Sequence, residues 1–339
     1  MRGTGLLDLQ VNGYAGVDFN TTALTPDALD HALRAMLRAG VTACLPTLIT
    51  APEDVLADRF AALDRAVARS RLGPVMVPGY HLEGPFLSPE PGYAGCHPAA
   101  AMVPPDPSLI SRIRKSLARP ILLLTLAPER AGALGLIAWA RDQGIVVAMG
   151  HTHADAGVVA DAASAGVTLS THLGNALPQP QPKFLNPLMA QLAADGLSAS
   201  FIADGIHIPR DALKVLIRAK GLERSILVTD ATAAAATPPG LYDFAGMTIE
   251  HTADGSVREP ASPVLAGSAL CLDQAVRNII DWGIAAPEAA LRMASIQPAS
   301  LVAEALACQG ARLAPSEVIW SAAMRPVSIS VAGMQFFRD

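Results

Sequence analysis

The hydrophobic pattern of this chain changes period again and again. Apolar-rich runs of strand length recur at Leu6–Asn12, Val41–Leu48, Val75–Glu83, Ile121–Ala127, Ile145–Met149, Val167–His172, Ser198–Ala203 and Ile226–Asp230. Several are apolar at nearly every position, as in strands buried on both faces of a parallel sheet. Segments of helical period lie between most of them. After the first run, Leu29, Leu33, Met36 and Leu37 fall on one helical face. Thr25 can cap that helix, Pro26 suits its first turn, and Gly40 suits the position just past its end. Further helices are predicted around Glu53–Arg69 and Pro209–Lys220, and a Gly/Pro-rich loop runs from Gly84 to Pro107.

Strands alternating with helices imply βαβ units and a parallel sheet. Eight such strands predict closure into a (β/α)₈ TIM-type barrel. The competing open, doubly wound sheet would carry a Gly-rich phosphate turn after an early strand, and none is present. After Asp230 the pattern changes. Tyr242–Arg258 reads as a hairpin with Asp254-Gly255 as its turn, helices resume near Leu270–Trp282 and Pro287–Met293, and Val318–Phe337 alternates like strand. The expected organisation is a barrel over residues 1–310 and the C-terminal strands of a small, incomplete β domain over 311–339.

Composition agrees with this picture. Of the 339 residues, 51% are hydrophobic and 16% charged, enough for a barrel core. The net charge is −5 with no Lys/Arg cluster, which argues against a nucleic-acid partner. Cys44, Cys96, Cys271 and Cys308 have neither disulfide-framework nor zinc-type spacing. Met1–Gln10 lacks the features of a secretory leader, and no apolar run reaches membrane-span length. A cytoplasmic setting without a membrane partner is expected.

The acids and histidines fall at strand ends. Asn12 ends the first strand, Glu83 the third, His151 the fifth, His172 the sixth and Asp230 the eighth. In a barrel these ends meet at one mouth, where active sites lie. Glu83, His151 and His172 offer the carboxylate and two imidazoles of a catalytic metal site. Asp230 would take the proton of an attacking water and return it to a leaving amine. His97, in the long loop, could stabilise an oxyanion. Taken singly, a strand-end histidine is more often a hydrogen-bonded structural residue. His31 and His251 read as structural or solvent-facing, and His81 as packing or outer support. His153 imitates the second member of an HxH pair but stands where a helix begins, so it is not expected to bind metal.

The chain resembles the N-acetylglucosamine-6-phosphate deacetylases of the amidohydrolase superfamily. The matching stretches are Asp8–Gly13, His81–Phe86, Gly150–Ala154, Thr171–Ala176, Ala203–His207, Val228–Ala231 and Leu265–Ser268. The resemblance implies a hydrolase that removes the acetyl group of N-acetyl-D-glucosamine 6-phosphate, in amino-sugar metabolism. Glu83, His151 and His172 would hold one divalent metal per chain, zinc or iron, with Asp230 as acid–base residue and His97 polarising the carbonyl. Asn175, Ala176 and His207 would contact the sugar phosphate, and Leu265, Ala266 and Gly267 would line the acetamide side. Cys96 and Asp204 belong to the same implied substrate site. The resemblance also implies a homodimer whose neighbour contributes to the phosphate site.

Gln10 and Asn12 separate the chain from many other amidohydrolases, and two further features depart from the family's own pattern. Gln10 and Asn12 stand where many amidohydrolases carry HxH, and neutral amides are poor ligands for a second metal. Lys183 stands where the family has a phosphate-binding arginine and is expected to contact the phosphate in its place. The family's β segment before the first barrel strand is expected to be missing, leaving the β domain incomplete or rebuilt from the tail. Two other readings remain open: a deacetylase of another N-acetylated sugar or related amidohydrolase, and a silent sugar-phosphate-binding relative.

Overall fold

The computed structural model describes residues 1–260 and 262–337. Eight strands form one parallel sheet in sequential order. They are β1 (Leu6–Val11), β2 (Val41–Ile49), β3 (Tyr80–Glu83), β4 (Ile121–Leu126), β5 (Val146–Met149), β6 (Val167–Ser170), β7 (Ser198–Ile202) and β8 (Ser225–Val228). The sheet closes between its first and last strands. Val11 bridges Ala231 in parallel, Asp230 N donates to Gln10 O at 2.9 Å, and Asn12 N donates to Ala231 O at 2.7 Å. The closing seam therefore runs through Gln10, Asn12 and Asp230.

Helices pack their apolar faces on the outside of this barrel. The helix Pro26–Arg38 begins where its cap dictates, with the Thr25 hydroxyl accepting from Ala28 N, and buries Leu29, Ala32, Leu33, Met36 and Leu37. Each such large aliphatic side chain contributes about 1.5–3 kcal/mol when fully buried. Gly40 adopts φ +79°, and a Cβ there would meet the Trp320 ring at 2.7 Å. That close approach locks the tail against the barrel.

The tail departs from expectation in one respect. Ser316–Trp320, Pro326–Val331 and Met334–Phe337 form an antiparallel sheet, and Arg2–Gly3 adds a fourth strand by pairing with Val318 and Ile319. The start of the chain thus supplies an edge partner that the sequence reading left out. Residues 338–339 of the expected tail unit lie outside the described residues. The hairpin expected at Tyr242–Arg258 is a three-stranded meander, Gly240–Phe244, Met247–His251 and Val257–Arg258. The segment Val75–Glu83 is not one strand, because Gly73–Met76 is a helical turn and β3 starts only at Tyr80. Among the described residues, no helix is long and apolar enough to cross a membrane.

Candidate active site

The ends of β1, β3, β5, β6 and β8 deliver Asn12, Glu83, His151, His172 and Asp230 to the wall of one cavity of about 940 Å³. The backbone there is unusual. His151, His172 and Asp230 have φ of 51°, 29° and 49°, and Ala176 has 50°. Left-handed backbone at non-glycine residues costs about 1–3 kcal/mol each and persists where surrounding structure imposes it, often at functional sites. Here it turns each chain sharply off its strand and into the mouth. Gly267, with φ +63°, lies so close to Asp230 O that a Cβ would approach to 2.8 Å.

Glu83 is the hub. Its Oε1 lies 3.1 Å from His172 Nε2 and 3.7 Å from His151 Nε2, and its Oε2 lies 3.6 Å from His97 Nε2. Burial alone would raise the Glu83 carboxyl, but the surrounding His151, His172 and His97 imidazoles outweigh it and hold the group well below its usual range. His172 is the counterpart. Burial opposes its charge, but the Glu83 contact raises its pKa. Burial, followed by the neighbouring His151, pushes His97 down to about 4, so it is neutral at pH 7.

This donor set fits a divalent metal. Glu83, His97 and His151 each offer one buried donor atom, all within 4.8 Å of one another, and His172 shares Glu83 Oε1. The structure thus draws His97 into the cluster expected from Glu83, His151 and His172. His151 Nδ1 bonds Tyr93 O at 2.8 Å, which makes Nδ1 the protonated nitrogen and turns the Nε2 lone pair toward Glu83. Metal-binding histidines are commonly oriented by such a second bond. Among the described residues lining the cavity there is no lysine or arginine to neutralise Glu83 and Asp230.

Asp230 faces this cluster. Burial, followed by the Glu83 charge, pushes its carboxyl up to about 6, a useful value for a base working near neutrality. Its Oδ1 accepts from Asn12 Nδ2 at 2.7 Å and from Gln10 Nε2 at 3.2 Å. Gln10 Nε2 also donates to Glu83 Oε1 at 2.9 Å. His207 lines the cavity, with Nδ1 bonded to Asp204 Oδ2 at 2.6 Å, while Asp204 itself stands behind it. Cys96, Asn175, Ala176, Leu265 and Gly267 also line the cavity, whereas Ala266 is fully buried beside it.

Several residues stand apart from it. Lys183 is exposed, with Nζ 5.5 Å from the Phe184 ring centre, and is not among the lining residues. His153 turns away to Ser88 Oγ and Glu129 Oε1, each at 3.0 Å. His81 points into the barrel between the hydroxyls of Thr47 and Thr125.

Asp8 is a buried carboxyl that the sequence reading did not single out. Its Oδ2 accepts from Thr229 Oγ1 at 2.6 Å and its Oδ1 from Thr229 N at 3.2 Å, next to Asp230. Burial raises Asp8 from the usual 3.8 to about 7. The folded state then keeps a proton that the unfolded chain has released, so stability falls as pH rises from about 4 to 7. The full charging cost is up to roughly 4 kcal/mol. Asp8→Asn retains the shape, and the Thr229 hydroxyl can accept from the new amide while donating to Gln10 O. Melting curves of the variant at about pH 5 and pH 8 are expected to lose most of this fall. An undiminished fall would place it on other groups.

No family model matches the chain. It is 33% identical over 280 residues to N-acetylglucosamine-6-phosphate deacetylase of Bacillus subtilis, covering 82% of this chain and 69% of that protein. It is 34% identical over 298 residues to N-acetylgalactosamine-6-phosphate deacetylase of Escherichia coli O157:H7, covering 87% and 76%. Its fold matches a mutant N-acetyl-D-glucosamine-6-phosphate deacetylase of Mycobacterium smegmatis in complex with N-acetyl-D-glucosamine 6-phosphate. The TM-score is 0.87 at 28% identity, over 98% of this chain and 86% of that one. In sequence and architecture alike, the chain belongs to the N-acetylglucosamine-6-phosphate deacetylase family of the amidohydrolase superfamily.

Proposed function

We propose that this chain hydrolyses the acetamide of N-acetyl-D-glucosamine 6-phosphate to glucosamine 6-phosphate and acetate. The observation that carries this reading is a buried carboxylate, Glu83, ringed by three imidazoles, with Asp230 facing it across one cavity. Glu83, His151 and His172 would hold one divalent ion, zinc or iron. When bound, that ion polarises a carbonyl and makes water acidic enough to attack at neutral pH.

The chain's own residues carry the proton and the charge. Asp230 accepts a proton as the water oxygen bonds to the acetamide carbon. His97, neutral and tied through Nδ1 to the Thr50 hydroxyl at 2.9 Å, donates from Nε2 to the oxygen that gains charge. Asp230 then delivers its proton to nitrogen as the C–N bond breaks, releasing the amine and acetate. Cys96, Leu265 and Gly267 border the acetamide end, with Ala266 behind them, while Asn175, Ala176 and His207 meet the sugar phosphate and Asp204 orients His207.

The relative acting on the galactosamine epimer is a reason to test both sugars. Cytoplasmic residence is supported by the four unpaired cysteines. A homodimer would cover Phe184 and Leu185, which are 67% and 90% exposed near the mouth, and could bring Lys183 to a neighbour's site.

The reading is tested by acetate release from N-acetylglucosamine and N-acetylgalactosamine, each with and without the 6-phosphate. Hydrolysis of a 6-phosphate is expected. Because no lysine or arginine is among the described lining residues, the preference for the phosphate should stay below about 100-fold in kcat/KM, the equivalent of one charge-assisted contact. Lys183→Ala should leave a monomer's kcat/KM within about twofold, since surface charges contribute little. No acetate from any of the four sugars would overturn the reading.

A further inference from the structure

Two neutral amides occupy the end of β1, and both are aimed at the same carboxylate oxygen. Asn12 Nδ2 and Gln10 Nε2 donate to Asp230 Oδ1 at 2.7 and 3.2 Å. Among the described residues, Oδ2 of Asp230 has no hydrogen-bond partner, and Asp230 lines the cavity. A carboxylate held through one oxygen presents the other to the reaction. The remaining hydrogen of the Gln10 amide goes to Glu83 Oε1 at 2.9 Å, so one NH₂ group spans the two acids. It fixes their separation without adding charge, which a carboxylate or a protonated histidine there would not do.

Asn12 is not an ordinary buried amide. A structural asparagine in a core satisfies both ends of its side chain. Asn12 is 1% exposed and lines the cavity, yet its Oδ1 has no partner. Only the end facing Asp230 is paired. The orientation follows from chemistry, because an ionised carboxylate can only accept, and so the NH₂ must face it.

We propose that Asn12, assisted by Gln10, is the positioning residue for the base. It pins Asp230 Oδ1 so that Oδ2 is the oxygen that takes and returns the proton. The inference rests on the acid–base role given to Asp230. The barrel seam explains how such a device is built, since Asn12 N and Asp230 N already donate backbone hydrogen bonds across it.

The test is a double-mutant cycle on the metal-loaded enzyme, using Asn12→Ala, Asp230→Asn and both together. If Asn12 acts through Asp230, Asn12→Ala should lower kcat by about 10- to 100-fold, because small misplacements of reacting groups cost on that scale. KM should stay within about threefold, and in the Asp230→Asn background the same change should cost less than about twofold, as residues acting as a unit are non-additive. Metal content and melting temperature should not move. Asn12→Leu has similar bulk, removes the unpaired oxygen and lacks the donor, so it decides the matter if the alanine variant folds poorly. Equal losses in both backgrounds, loss of kcat only together with the metal, or a fully active Asn12→Leu would overturn the proposal. Full activity of Asp230→Asn would instead overturn the acid–base reading beneath it.

Discussion

Asp230→Asn is expected to lower kcat by about 10²–10⁴-fold while metal and substrate still bind, the range usual for a general acid–base group. The reason is local. The Asp230 carboxyl is held at about 6 by burial and by the Glu83 charge, so at neutral pH it is mostly ionised yet basic enough to accept a proton. An amide of the same size keeps the Asn12 contact on its carbonyl oxygen but cannot accept the water's proton. Because the proposed mechanism passes both the attack and the departure of nitrogen through this carboxyl, more active substrates should not restore the loss fully. Steady-state kinetics with metal analysis on the same sample decide it. Near parental turnover at one metal per chain would make Asp230 a structural residue of the barrel seam.

Much of this arrangement is legible in the sequence because a parallel barrel converts sequence order into geometry. Once the strands are recognised by their apolar runs, residues just past them must meet at one mouth. Glu83, His151, His172 and Asp230 follow from that rule, and the structure brings all four to one cavity. Helix starts are legible where proline marks them, as at Pro52 before Glu53–Arg69 and at the first residue of Pro287–Met293. The misreadings have equally local causes. Val75, Met76 and Val77 are strand-like by composition, but Gly73-Pro74 starts a helical turn and Pro78 interrupts the run before β3. The helix Ile296–Cys308 lacks a clear polar face and carries Pro298, which it tolerates because its first-turn N–H groups need no intrahelical partner. Lys183 can be placed by counting from His172, but counting does not show which way a proline-rich loop turns its side chains. Gln10 and Asn12 are the instructive case. As candidate ligands they read as absences. Their bonds to Asp230 span more than 200 positions and exist only because the barrel closes in one register.

Glu83→Gln is expected to abolish metal retention and with it nearly all turnover. Even outer-shell substitutions cost about 10–100-fold in metal affinity, and this one removes the only carboxylate among the proposed ligands. Single replacements of the surrounding histidines then identify which imidazoles bind. Both His151 Nε2 and His172 Nε2 approach Oε1 of Glu83, at 3.7 and 3.1 Å, whereas His97 Nε2 approaches the other oxygen at 3.6 Å and its Nδ1 is engaged by Thr50. One carboxylate and two imidazoles, with a fourth position left for water, would suit a catalytic ion. His151→Ala and His172→Ala should therefore fall far below one ion per chain after dialysis. His97→Ala should keep its ion and lose about 10²–10³-fold in kcat, as expected for an oxyanion donor. The opposite pattern, with metal lost from His97→Ala and kept by His172→Ala, would assign the site to Glu83, His97 and His151. These three donors already lie within 4.8 Å of one another, and His172 would then be left as the hydrogen-bonded partner of Glu83.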